Sequence, residues 1–336
     1  MAAGGGARGG RRGKAVSSLE LARLCRVSQG TVDRALHNRG RIDPATAERI
    51  LAAARRYGYA PNPAAREILT GRSAFVGAIV PTMNSIFFMH IVEELREALR
   101  AEGLRLIISP ATDAAETREI LADFRARRLR GIAVVPPEDH VGLGDLGAGG
   151  APVVSLINPC DSPAIPFVGP DEERTGADGV DYLVSRGHRR ILFLSYPRRS
   201  WAMRGREQGY ARAMARHGLE PRMVIEVTEN EFLRELDSSH PTALFCHNDW
   251  LALSAIRFLG HRGLRVPGDV SVLGINNSPV FNLLYPGLTT MEYPARDVAR
   301  RAVGLLLTGR GSGRAGRFSI VERETVKRVG TEHCPA

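Results

Sequence analysis

Apolar residues between Ser17 and Gly58 recur every three to four positions in three short runs, the spacing of one buried face on each of three helices. Ser17 and Glu20 have the S-x-x-E spacing of a capping box at the start of the first run, which carries Leu19, Leu21, Ala22 and Leu24. Cys25-Arg26-Val27 forms a turn, and Ser28 caps a second helix over Gln29 to His37. That helix turns Val32, Ala35 and Leu36 inward and Gln29, Gly30, Asp33 and Arg34 outward. Asp43 and Pro44 open a third helix, which runs through Ile50, Leu51 and Ala54 and stops at Gly58. The first two helices and their turn read as a helix-turn-helix, a motif that lays its second helix in a DNA major groove with the N-terminal residues nearest the base edges.

From Ala74 the pattern changes to short apolar runs alternating with amphipathic stretches. Phe75–Val80, Leu104–Ser109, Gly131–Val135 and Pro152–Leu156 read as strands, with helices at Phe87–Leu99 and Ala115–Arg127. A second series places helices at Arg174–Ser185, Arg204–His217 and Asp249–His261 between strands at Arg190–Ser195, Met223–Val227, Thr242–Cys246 and Val270–Ile275. Two such series predict two doubly wound α/β lobes, with a ligand between them where strand C-termini face each other. The pattern therefore gives an all-α helix-turn-helix domain followed by an α/β body of two doubly wound lobes.

Charge sharpens the division. Residues 1–73 hold 14 Lys+Arg against 5 Asp+Glu, whereas the remaining residues hold 32 against 31, so nearly all of the net +10 lies with the helix-turn-helix. A basic head suits phosphate neutralisation. Residues 1–14 are Gly/Arg-rich with nothing to bury and read as a disordered tail. Cys25, Cys160, Cys246 and Cys334 are scattered without a C-x-x-C pair, as free thiols of a reducing cytoplasm would be. No apolar run reaches the roughly 18 residues of a membrane span, and the N-terminus has no apolar signal region.

Leu21-Ala22, Val27-Ser28, Thr31-Val32 and Arg34, followed by Tyr57-Gly58-Tyr59, Pro61-Asn62, Ala65-Arg66 and Gly71, make the chain similar to the LacI/GalR regulators. The body supports the same resemblance through RGHRRILFL, RGREQGYARAM, TALFCHNDWLALSAIRFL and GLRVPGDVSVLGINN. The resemblance makes that body periplasmic-binding-protein-like and implies a homodimeric, ligand-controlled DNA-binding protein, most simply a repressor, working on a pseudo-palindromic operator in the cytoplasm. It implies DNA contacts from Ser17, Ser28, Gln29, Gly30, Thr31 and Arg34, with Asn62, Arg66 and Ile68 in a hinge helix that folds on DNA and wedges Ile68 into the minor groove. Residues 62–69 are helix-favouring but too few to hold a helix alone in water. The effector, a sugar or related metabolite, is expected to touch Phe87, Phe88, Arg206, Asn248, Asp249, Asn276 and Tyr293. Tyr293 and Trp250 either stack on a ligand ring or pack in the core, the more frequent fate of such aromatics.

The implied boundaries are a tail over 1–14, a head over 15–60, a hinge over 61–73 and a body over 74–336. Within the body one lobe takes 74–168 and 293–321, and the other 169–291 and 322–330. Three departures from the family pattern stand out. Arg26 occupies a turn position normally held by Gly, Ile68 replaces Leu as the wedge, and Asn276 stands where an Asp usually accepts hydrogen bonds from ligand hydroxyls. The chain ends soon after Lys327-Arg328 without the apolar heptads of a tetramerising helix, so a dimer is expected.

Catalytic alternatives find little support. Gly142 to Gly147 match G-x-G-x-x-G, yet Gly-Ala-Gly-Gly-Ala-Pro follows where a helix is needed, so a surface loop is expected. Cys246 and His247 are adjacent at a strand end and point to opposite faces, which leaves the imidazole badly placed to activate the thiol. His188 reads as structural, and the histidines show no metal spacing. No catalytic residue, cofactor or metal is expected. A free solute-binding protein would account for the body alone.

Overall fold

The computed structural model describes residues 16–36, 40, 42–59, 73–136, 150–197, 200–225, 227–283, 285–310 and 313–330. The expected hinge residues Asn62, Arg66 and Ile68, the basic tail, the glycine loop at 142–147 and Cys334 lie outside them. The chain divides into two compact units, residues 1–71 and 72–336.

The head consists of α1 (Ser18–Leu24), α2 (Gln29–Leu36) and α3 (Pro44–Arg56). Ser17 and Glu20 form the full capping box, with Ser17 N–H donating to Glu20 at 2.7 Å and Glu20 N–H donating to Ser17 Oγ at 3.2 Å. Asp43 caps α3 by accepting from Thr46 N–H at 2.9 Å. Leu21, Ala22, Cys25, Val32, Ala35, Ile50 and Ala54 close a single small core. Leu19 and Leu24 stay exposed. Arg26 is left-handed at φ +51°, so an arginine sits where glycine is at ease, at a cost of about 1 kcal/mol.

The body holds two sheets. In the first, β1 (Phe75–Val80), β2 (Arg105–Pro110), β3 (Ile132–Val134), β4 (Val153–Leu156) and β5 (Phe167–Val168) run parallel in the order β2-β1-β3-β4-β5. Helices α4 (Ile86–Ala101) and α5 (Ala114–Ala126) make its crossovers. The second contains β6 (Ile191–Ser195), β7 (Arg222–Ile225), β8 (Ala243–Cys246), β9 (Ser271–Asn276), β10 (Thr289–Glu292) and β11 (Ser319–Val321), ordered β11-β10-β9-β8-β6-β7. All pair in parallel except β11, which is antiparallel to β10. Its helices are α6 (Glu172–Ser185), α7 (Trp201–Arg216), α8 (Glu229–Ser239) and α9 (Asp249–His261), with a short 3-10 turn at Pro279–Leu283. Inner strands such as β6 and β8 are buried at every residue, as two-sided coverage by helices requires.

The chain passes between lobes three times. It leaves the first sheet after β5, returns after β10 to lay α10 (Ala295–Thr308) against α4, and comes back to add β11 to the second sheet. The last crossing therefore precedes Ser319, and the segment 319–321 belongs with the second lobe, not the first as expected. The reason is the three-residue pairing of Thr290 to Glu292 with Val321 to Ser319.

α6 and α7 pack backbone to backbone. A Cβ on Gly209 would lie 1.8 Å from Glu173 O, and one on Gly176 would lie 2.1 Å from Arg206 O. Only glycine permits this approach, and it sets the N-terminal turn of α6 beside the first half of α7.

His188 lies fully buried between Thr242 Oγ1 at 3.1 Å and Lys327 O at 3.2 Å, tying the C-terminal segment to the second lobe. Burial pushes its pKa down to about 4 from the ordinary 6.5. The unfolded chain then binds more protons between those values, so stability is fully present above about pH 6.5 and falls as the pH drops toward 4. The expected loss is on the order of 3 kcal/mol. Urea denaturation at pH 7 and pH 4.5 should show a smaller acid penalty in a His188→Gln variant than in the parent; equal penalties would exclude this residue as the cause.

Candidate functional site

The exposed face of α2 starts where Ser28 caps it, with Thr31 N–H donating to Ser28 Oγ at 3.1 Å and the two hydroxyls 2.8 Å apart. Ser17, Ser28, Gln29, Gly30 and Arg34 are exposed and Thr31 is half-buried, with Val32 and Ala35 turned into the core. Gln29 Nε2 donates to Ser18 Oγ at 2.7 Å, linking α1 to α2. Arg34 folds back along its helix, donating from Nε to Gly30 O at 3.2 Å and from Nη2 to Thr31 Oγ1 at 3.3 Å. These contacts hold a glutamine and an arginine side by side at the first two turns, where a recognition helix presents base-reading groups.

A cavity of about 900 Å³ lies between the two sheets of the body at the C-terminal ends of their strands. The first lobe supplies Pro81 and Thr82 after β1, Thr112 and Asp113 after β2, Pro136 after β3, and Ile157 and Asn158 after β4. The second supplies His247 and Asn248 after β8 and Asn276 at the end of β9. Phe87 and Phe88, in the first turn of α4, form an apolar wall with rings 5.5 Å apart. Trp250, half exposed, sits edge-on to Phe281 on the other lobe and also lines the cavity. Four helices begin at the cavity, and their caps Ser85, Asp113, Ser200 and Asn248 each accept an N–H from their own first turn.

Arg206 combines two roles. The residue lines the cavity, yet its side chain is only 4% exposed, and its guanidinium grips the 1% exposed Glu172 in a bidentate pair, Nε to Oε2 at 2.6 Å and Nη2 to Oε1 at 3.1 Å. Nη1 donates to His247 O at 2.7 Å, and the guanidinium carbon lies 5.5 Å from the Phe318 ring. Three of its five N–H groups are thus engaged, and one on each terminal nitrogen is left over. Glu172 escaped sequence reasoning, since nothing in its neighbourhood of Asp171 and Glu173 marks it as a partner for a residue one helix later.

Asn248 caps α9, accepting from Leu251 N–H at 2.9 Å and from the Tyr196 hydroxyl at 3.2 Å, and faces the cavity. Asn276 faces it too, at φ +116°. Two expected contacts are corrected. Asp249 turns away from the cavity into the second lobe, accepting from Thr290 Oγ1 at 2.6 Å and Ser278 N–H at 2.8 Å. Burial raises its pKa to about 6, while the Thr290 and Ser278 hydrogen bonds oppose the rise. Tyr293 is core: its ring meets Phe87 edge-on at 5.0 Å and Phe318 at 5.4 Å, behind the cavity wall. Among the described residues no group of three His, Cys, Asp or Glu could hold a metal, and no helix is long and apolar enough to cross a membrane.

A helix-turn-helix head on a two-lobed body with a polar interlobe cleft defines a DNA-binding regulatory protein of the periplasmic-binding-protein-like type. Residues 19–62 match the model for bacterial regulatory proteins of the lacI family, and residues 180–328 match that for a periplasmic binding protein-like domain. The HTH-type transcriptional repressor CytR of Escherichia coli (strain K12) is 27% identical over 96% of this chain and 98% of its own length. The lac repressor dimer, solved bound to operator and the anti-inducer ONPF, superposes with a TM-score of 0.80 at 23% identity over 94% of this chain and all of that one. A transcriptional regulator CelR–cellobiose complex superposes with a TM-score of 0.65 at 25% identity over 93% of this chain and all of the other. The chain thus joins a DNA-binding region that matches the lacI family to a domain that matches the periplasmic binding protein-like family.

Proposed function

We propose that this protein is a cytoplasmic transcriptional repressor, without catalytic activity, whose affinity for an operator is set by a small molecule bound between its lobes. The observation that carries the reading is one chain joining a helix-turn-helix with an outward polar N-terminal face to a body whose polar groups converge on an interlobe cavity. Ser17, Ser28, Gln29, Gly30, Thr31 and Arg34 contact DNA, with Arg34 suited to guanine and Gln29 to adenine. Asn62, Arg66 and Ile68 act in a hinge that orders on the operator. Two heads of a homodimer read half-sites about one helical turn apart. Phe87, Phe88, Arg206, Asn248 and Asn276 hold the ligand, a sugar or related metabolite as in the cellobiose-bound relative. Closing the lobes on it shifts the balance between operator-competent and incompetent states.

Selection from random duplex DNA tests the reading. The protein should enrich a pseudo-palindrome, and Arg34→Ala should cost about 1–3 kcal/mol of affinity and relax preference at one base pair of each half-site. Enrichment of no symmetric sequence, or an unaltered preference in the variant, would contradict it.

A further inference from the structure

Three residues that line the cavity carry buried polar atoms with no hydrogen-bond partner: Asn158 Oδ1 from the first lobe, and His247 Nδ1 and Asn276 Oδ1 from the second. Buried polar atoms are almost always paired, so three orphans around one cavity are a concentration that calls for a partner from outside the chain. Asn158 Nδ2 donates to Pro136 O at 3.4 Å, which fixes the amide so that its oxygen is the free atom. His247 is 7% exposed, with the Tyr196 ring edge-on at 6.0 Å and its own carbonyl held by Arg206.

Resting on the reading of the cavity as the effector site, we infer that His247 is a specificity-determining residue which, with Asn158 and Asn276, clamps an uncharged ligand rich in O–H or N–H donors across the two lobes. Asn158 has its nitrogen engaged and its oxygen free, so the ligand atom that meets it must donate, while Asn276 offers an acceptor oxygen beside its own amide donors. Burial and the neighbouring Arg206 cation keep the His247 ring neutral, with one donor and one acceptor nitrogen. The two unused N–H groups of Arg206 call for acceptors on the same molecule, and hydroxyls and heterocyclic amides serve both needs. A phosphate or carboxylate supplies acceptors alone. The four helix N-termini at the cavity would favour an anion, but each is closed by its own cap, and the Arg206 charge is already matched by Glu172.

The full chain tests this by thermal shift against neutral compounds and their phosphate esters: D-glucose and glucose 6-phosphate, D-ribose and ribose 5-phosphate, adenosine and cytidine and their 5′-monophosphates. At least one neutral member should raise Tm more than its ester does. Calorimetry with that compound should show His247→Phe weakening binding about tenfold or more. His247→Gln, which keeps a polar atom, should recover part of the affinity. The ligand-free His247→Phe protein should melt no lower than the parent, since it loses an unpartnered nitrogen and keeps a ring. A tighter phosphate ester, no shift from any neutral compound, or full affinity in His247→Phe overturns the inference. A compound that binds equally well to the parent and to an Ala114→Trp, Thr82→Trp double variant, which places two bulky rings on the cavity wall, shows instead that the effector site itself lies elsewhere.

Discussion

Arg206→Ala is expected to destabilise the body by about 3–5 kcal/mol, well beyond the loss of a ligand contact, because it leaves the Glu172 carboxylate buried without its cation. Arg206 is thus both cleft lining and keystone of the contact between α6 and α7, so the single variant mixes a folding defect with any loss of ligand response. Replacing both partners by neutral amides, Glu172→Gln with Arg206→Gln, removes the stranded charge. The double variant should regain more than half of the lost stability while still failing to respond to ligand. Denaturant midpoints of the parent, both single variants and the double variant form the cycle that checks this. A double variant as unstable as the sum of the two singles would show that the pair is not coupled.

The α6–α7 interface should be the least forgiving place in the second lobe. Gly209→Ala sets a methyl 1.8 Å from Glu173 O and 3.0 Å from Ala177 N, so the two helices must part. A loss of about 3 kcal/mol or more is expected, at or above the top of the usual overpacking range, because backbone rather than a flexible side chain is in the way. Gly304→Ala in α10 supplies the contrast: nothing lies within 4 Å of its Cβ position. There the better helix former should stabilise the protein by roughly 0.5–1 kcal/mol. Thermal melts of the two variants should move in opposite directions. A neutral Gly209→Ala would mean that the helices have room the geometry denies them.

Strands and most helices were legible because buried parallel strands are plain apolar runs, and β1, β6, β8 and β9 fall within a residue or so of their expected places. The head was legible to the cap, since Ser17, Glu20, Asp43 and Pro44 are local signals. α8 was not, because only Phe232 and Leu236 of its eleven residues are buried, too few to show a period. β5 is two residues long and has no pattern to read. α10 does carry a helical period, in Val298, Ala299, Ala302, Val303, Leu305 and Leu306, but it lies in the tract between two lobe crossings, outside both strand-and-helix series.

The cleft was readable where a motif fixes a residue and obscure where orientation does. Asn248 and Asp249 are neighbours at a helix start, and one faces the cavity while the other turns inward to Thr290. Tyr293 looks like a stacking platform by type but is locked between Phe87 and Phe318. Cys246 and His247 face opposite ways, with the thiol in the core and the imidazole at the cavity. A histidine facing a cleft with a free nitrogen is itself a candidate contact, which strand parity alone does not reveal.

The most direct test is the coupling between cleft and DNA. Fluorescence anisotropy of the selected pseudo-palindromic duplex, titrated with protein at zero and at saturating ligand, should show operator affinity changing by about fivefold or more. Calorimetry should show operator changing the ligand's affinity by the same factor. Operator affinity that is unchanged by a ligand known to fill the cavity would contradict the account.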